Sequence, residues 1–176
     1  RFSSAWSEEG LMNLAHLKAH VLKHAPLDLQ ALNQIQKTTR AEVVLTRARE
    51  GTPMYVQPHG AAWVDALMAS SALPMLTRGR VKWDQTWVFD GGYSDALPLQ
   101  RALDLGGRRI LVVRTRPVGD HIAQSTVDYL ASYWFWNEPH VLELFENGHE
   151  RYNAVVDRLR LGCDGEGRKW EEIAPP

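Results

Sequence analysis

The stretch Val88-Phe89-Asp90-Gly91-Gly92 constrains this chain more than any other: an apolar run ends on an acid, and two glycines follow. The segment from Val81 to Asp90, with Trp83, Trp87 and Phe89 among its apolar positions, reads as a strand that carries Asp90 at its carboxyl end. Aspartate and glycine together are ordinary turn residues, and the glycines free the backbone to turn. A carboxylate at the end of an apolar strand is costly to bury unless it is paired or used. A short helix from Pro98 to Leu105 comes next, opened by proline and closed by Gly106-Gly107. The apolar run Arg109-Ile110-Leu111-Val112-Val113-Arg114 then reads as a strand in the middle of a parallel sheet. Strand, short helix and strand in that order spell a βαβ unit. Ligands of open α/β sheets bind outside the carboxyl ends of strands, so Asp90 is the first candidate for a functional site.

The rest of the chain fits the same class. Ser7 to Ala25 has a helical period, with Leu11, Leu14, Leu17, Val21 and Leu22 on one side and Pro26 as a stop. Leu29, Leu32 and Ile35 suggest a second short helix. The runs Glu42-Val43-Val44-Leu45-Thr46 and Met54-Tyr55-Val56-Gln57, separated by a Glu50-Gly51-Thr52 turn, predict a hairpin or two neighbouring strands. Ala61 to Ser70 predicts a helix that ends before Pro74. Two more helices are expected, over about Ile122 to Trp136 and Glu138 to Leu161, and then a Gly-rich tail from Gly162. The predicted fold is α/β: a three-layer sandwich with a mixed, mostly parallel sheet and helices on both faces. No repeat and no linker divides residues 1–176, which read as a single domain.

Composition excludes several function classes. The net charge of -1 gives no electrostatic footprint for nucleic acid and no polybasic membrane patch. Cys163 is alone, so no intrachain disulfide forms, and a cytoplasmic location is the expectation. No apolar run approaches the length of a membrane span.

The block Ala69-Ser70-Ser71-Ala72-Leu73-Pro74, then Asp90-Gly91-Gly92-Tyr93 with Asp95 and Pro98, then Ala102-Leu103-Asp104-Leu105-Gly106 and Ile110-Leu111-Val112-Val113, closely resembles the patatin-like phospholipases, their bacterial branch above all. Order and spacing match the second half of that catalytic domain. The likeness covers roughly Leu27 to Arg116, and residues 121–161 read as a helical C-terminal extension. The resemblance implies a serine–aspartate dyad that hydrolyses lipid acyl esters with no metal and no organic cofactor. It implies Asp90 as the catalytic aspartate, with Gly91, Gly92, Ser70 and Ser71 shaping the site. Its nucleophile sits in a Gly-x-Ser-x-Gly elbow, and its oxyanion donors come from an N-terminal glycine-rich loop.

This chain contains neither of those two motifs. Ser94, in Gly92-Tyr93-Ser94-Asp95-Ala96, lies inside the aspartate motif and not on a strand-to-helix elbow. The chain opens on Arg1, and the expectation is that the nucleophile and oxyanion donors belong to an N-terminal half that precedes it. The 176 residues alone are then expected to be inactive. The expected partners are a lipid or ester substrate, a membrane surface touched transiently, and either that N-terminal half or a second copy, because such a piece exposes a sheet edge and an apolar face. The alternative is a non-catalytic lipid- or protein-binding fragment of the same fold.

Two other groups of residues stand out. His16, His20 and His24 repeat every four residues and share a helical face. They could chelate a metal only if a third ligand converged on them, and the simpler reading is a polar face. Tyr129, Tyr133, Trp134, Phe135 and Trp136 form an aromatic cluster, read first as a core helix and second as a place where a lipid meets the protein. Arg108, Arg109, Arg114 and Arg116 are expected to cap or solvate the ends of the strand they flank.

Overall fold

The computed structural model describes residues 13–74, 76–77, 79–126, 132 and 137–176. The expected aromatic cluster at Tyr129 and Tyr133 to Trp136 lies outside the described residues, as does the start of the first helix.

That first helix, α1, is described over Leu14–His24, and Asn13 caps it by accepting from the His16 N–H at 2.8 Å. The second, α2 (Leu29–Ile35), is capped in the same way by Asp28. A hairpin follows, β1 (Val43–Arg47) and β2 (Pro53–Val56), antiparallel with Val44 opposite Tyr55. Helix α3 (Ala62–Ala69) then leads to a second hairpin, β3 (Val81–Trp83) and β4 (Thr86–Asp90). The predicted single strand from Val81 to Asp90 is therefore two strands. Asp84, with φ of 52°, begins a two-residue turn that folds one onto the other.

These four strands form one sheet in the order β2-β1-β4-β3. Leu45 of β1 faces Asp90 of β4, and that pairing too is antiparallel. The remaining elements named among the described residues are α4 (Gly92–Asp95), α5 (Leu99–Asp104), β5 (Arg109–Val113), α6 (Pro139–Arg160) and β6 (Lys169–Ile173). Strand β5 pairs in parallel with β6 in a separate two-stranded sheet.

The protein is mixed α/β, with antiparallel and parallel sheets and helices. The larger sheet is antiparallel throughout; within its two hairpins the links are too short for the dozen or more residues of a parallel crossover. The expected βαβ unit of β4, α5 and β5 is not one, since β5 joins β6 instead, and α6 makes that crossover. The Gly-rich tail supplies β6, whose Trp170 is buried.

Alternation along β4 divides the core. Val88 packs with Val43, Leu45, Trp63, Ala66 and Ala69, so α3 covers that face. Its neighbour Phe89 packs with Val141, Leu144 and Phe145 of α6 on the other. A third cluster, Leu99, Leu103, Leu159 and Trp170, joins α5 and α6 to the small sheet. Leu111, Val113 and Ile173 remain exposed on that sheet, so β5 is not the central strand its composition suggests. Arg114 is not solvated either. It is buried, it pairs with Glu172 at 2.6 Å, and it donates to the Tyr152 hydroxyl at 2.9 Å. That pairing ties α6 to β6.

Glu42, just before β1, ties the larger sheet to α5. Arg101 of α5 clasps it at 2.8 and 2.9 Å, and Arg40 adds a third contact at 2.6 Å. The Arg101 guanidinium, helped by Arg40 and opposed by burial, pulls the Glu42 carboxyl down from 4.5 to about 2. A depressed carboxyl contributes stability above its unfolded pKa and loses it as the pH falls through the folded one. Glu42→Gln is expected to cost about 2 kcal/mol at neutral pH, allowing for solvent screening of the partly exposed arginines. The difference should vanish between pH 4.5 and about 2. Urea unfolding of both proteins across that range checks it.

Candidate active site

The backbone around Asp90 is fixed from three sides. Its N–H donates to the Ala72 carbonyl at 3.0 Å, which ties β4 to the small-residue block after α3. Its carbonyl accepts from the fully buried Thr46 hydroxyl at 2.7 Å. Its carboxylate accepts from the Gly92 N–H at 2.7 Å. Burial raises the Asp90 carboxyl above its ordinary value, and the Gly92 N–H only partly offsets this.

Neither Gly91 nor Gly92 has positive φ; Gly91 sits at φ -65°. A Cβ at Gly91 would lie 2.0 Å from the Val44 carbonyl oxygen, so the chain passes β1 where no side chain fits. A Cβ at Gly92 would crowd the Asp90 Oδ1 at 3.1 Å.

Asp90 opens on a cavity of about 230 Å³. Leu73, Gly92, Tyr93 and Ala96 line it from one side, and Leu144, Phe145, Gly148, His149 and Tyr152 of α6 from the other. The segment from Ile122 to Gln124 closes the rim. Asn153 holds that segment in register, bonding both the N–H and the carbonyl of Ile122 at 2.9 Å. Phe89, Tyr93 and Phe145 pack as a ring cluster behind the acid, with centroids 4.9 to 6.3 Å apart. The surroundings of the carboxylate are therefore largely apolar.

The other sequence candidates fall elsewhere. Ser70 donates to the Val44 carbonyl at 2.8 Å and Ser71 to the Leu67 carbonyl at 2.9 Å. Neither lines the cavity. Ser70 instead secures the same carbonyl against which Gly91 rests. The Ser94 hydroxyl lies 2.8 Å from that of Thr46. Since Thr46 donates to the Asp90 carbonyl, Ser94 is the donor of the pair, and it is a strut beneath the loop. Asp95 accepts from the Tyr55 hydroxyl at 2.5 Å and takes no part in the cavity. His16, His20 and His24 are exposed on α1. Among the described residues no group of three or more His, Cys, Asp or Glu side chains is arranged to hold a metal.

Sequence reasoning missed the α6 wall. Positions 144, 145, 148, 149 and 152 follow a 3.6-residue period and mark one helix face. That period was legible, but nothing in the sequence says that this face meets Asp90.

No protein-family model matches the chain. A stretch of 71 residues is 37% identical to the uncharacterized protein YjjU of Escherichia coli. It covers 40% of this chain, and the chain spans only 20% of that protein's length. Among the described residues no helix is long and apolar enough to cross a membrane.

Proposed function

We propose that this chain contributes the aspartate of a serine esterase or phospholipase of the patatin-like kind. The observation that carries the reading is the half-buried Asp90 carboxylate, which lines a cavity at the carboxyl end of a strand and accepts from the Gly92 N–H. A carboxylate whose proton affinity is raised by burial is a better general base than one in water. The serine hydroxyl, supplied by polypeptide beyond these residues, gives its proton to Asp90 as its oxygen attacks the ester carbonyl. Backbone N–H groups, also from beyond these residues, hold the negative oxygen. Asp90 returns the proton to the leaving alcohol, and an acyl-enzyme remains. Water then attacks the acyl carbon as Asp90 takes its proton; the bond to the serine oxygen breaks, Asp90 returns that proton to the serine, and a free fatty acid is released.

In this reading the β2-β1-β4-β3 sheet is the antiparallel margin of a larger, mostly parallel sheet in a three-layer sandwich. No metal or organic cofactor takes part. A second reading, a non-catalytic lipid- or protein-binding module, is favoured by the exposed Leu111, Val113 and Ile173. Ester hydrolysis by the full-length polypeptide carrying Asp90→Asn separates the two. Lost turnover with an intact fold supports the hydrolase, and near-normal turnover overturns it.

A further inference from the structure

Asp90 is the last residue of β4, and β3 pairs with that strand only as far as Val88. The backbone of Asp90 is held from elsewhere. Its N–H goes to the Ala72 carbonyl, and its own carbonyl accepts from a side chain, the Thr46 hydroxyl of β1, at 2.7 Å. Thr46 is fully buried and β-branched, so its hydroxyl has little freedom to point elsewhere. It accepts from the Ser94 hydroxyl at 2.8 Å, which leaves its single proton for Asp90. Two hydroxyls, neither of them in the cavity wall, thus end on the backbone of the acid.

The peptide that joins Asp90 to Gly91 is planar, so holding its oxygen holds the whole plane. Gly91 has no side chain to steer the next step, and one residue on the Gly92 N–H meets the Asp90 Oδ1 at 2.7 Å. The carbonyl and the carboxylate of one residue are in this way tied together through a two-residue turn. A hydroxyl on the carbonyl brings no charge to the cavity; what it supplies is aim.

We propose that Thr46 is the positioning residue of Asp90: its buried hydroxyl sets the Asp90–Gly91 peptide plane and, through the Gly92 N–H, fixes where the carboxylate points. The consequence for turnover rests on the hydrolase reading, whereas the coupling itself is a property of this chain. Thr46→Val keeps the shape and removes the hydroxyl; Thr46→Ser keeps the hydroxyl. Val43→Ala, at a buried β1 position on the α3 side, is the control for stability lost without a change in the loop.

The Gly92 amide proton is followed by NMR through a pH titration. Its bond strengthens when the carboxylate ionises, so in the parent its resonance should move with the Asp90 midpoint. That movement should shrink by about half or more in Thr46→Val, since a misaligned charge-assisted bond weakens, and should return in Thr46→Ser. Val43→Ala should match the parent. In the full-length polypeptide Thr46→Val should lower kcat about ten-fold or more with KM little changed, the effect of a displaced reacting group. Should Thr46→Val not fold, the parent decides: its Thr46 hydroxyl proton, shielded from water, should be visible and move with the same midpoint.

A Gly92 amide that titrates in Thr46→Val as in the parent overturns the proposal, and so does an equal loss in Val43→Ala. A Thr46 hydroxyl proton that exchanges away or ignores the Asp90 midpoint overturns it too. If Thr46→Val uncouples Gly92 while Asp90→Asn keeps full turnover, the positioning stands and the hydrolase reading falls. If Asp90→Asn abolishes turnover and Gly92 is indifferent to Thr46→Val, the hydrolase stands and this proposal falls.

Discussion

One methyl group at position 91 is expected to lower the stability of the protein by about 3 kcal/mol or more, at the upper end of what overpacking costs. The backbone of Gly91 is at φ -65°, which alanine adopts freely, so the effect is steric and not conformational. The new Cβ would meet the Val44 carbonyl oxygen at 2.0 Å and its carbon at 2.5 Å. Strand β1 has little freedom to recede. It is hydrogen-bonded to β2 on one edge and β4 on the other, and Ser70 holds the Val44 carbonyl itself. Gly91→Ala should therefore shift the urea midpoint sharply with an unchanged slope. A midpoint within error of the parent would show that β1 and the Asp90 loop do not run this close.

If the proposed hydrolase reading holds, Asp90→Asn should do the reverse, removing activity while sparing the fold. Asparagine keeps the oxygen that accepts from the Gly92 N–H at 2.7 Å. It has no site for a proton from a serine hydroxyl, so ester turnover by the full-length polypeptide should fall about 10²–10⁴-fold, the usual contribution of a general base. Stability should hold or rise. Burial raises the Asp90 carboxyl, so in the folded state the ionised form is penalised relative to the unfolded chain. That penalty is absent below the unfolded pKa and grows as the pH rises through the folded one. The variant should match the parent in acid and equal or exceed it near neutrality, the pattern of a residue kept for function at a cost in stability. A variant that loses activity only because it unfolds would contradict this assignment.

How much of this was legible in the sequence depends on which physical quantity each feature records. The hairpin of β1 and β2 was, because β-branched runs around a Gly51 turn specify both the strands and their short link. The position of Asp90 at a strand end was too. Strand direction was not, since Ile110 to Val113 would look the same in a central parallel strand and in a half-exposed pair with β6. Only the link lengths decide that, and the two-residue turn at Asp84 was hidden in a run that reads as one strand. The role of Gly91 was misread for a similar reason. Glycine in a turn suggests positive φ, whereas the need here is space against Val44, a residue 47 positions earlier in the chain. Arg114 looked like a solvated strand end because its buried partner, Glu172, lies in a tail with no strand pattern. The α6 face that includes His149 comes to line the same cavity as Asp90 through tertiary packing alone, and no local pattern carries that information.

The central claim is that Asp90 holds a carboxylate partly stripped of water and ready to take a proton. Its carboxyl carbon can be followed directly by ¹³C NMR through a pH titration, with Asp90→Asn identifying the resonance. A midpoint clearly above that of an aspartate in a model peptide, about 3.9, is the predicted result. A midpoint at or below that value would mean that Asp90 is solvated or paired, and would contradict its role as the base.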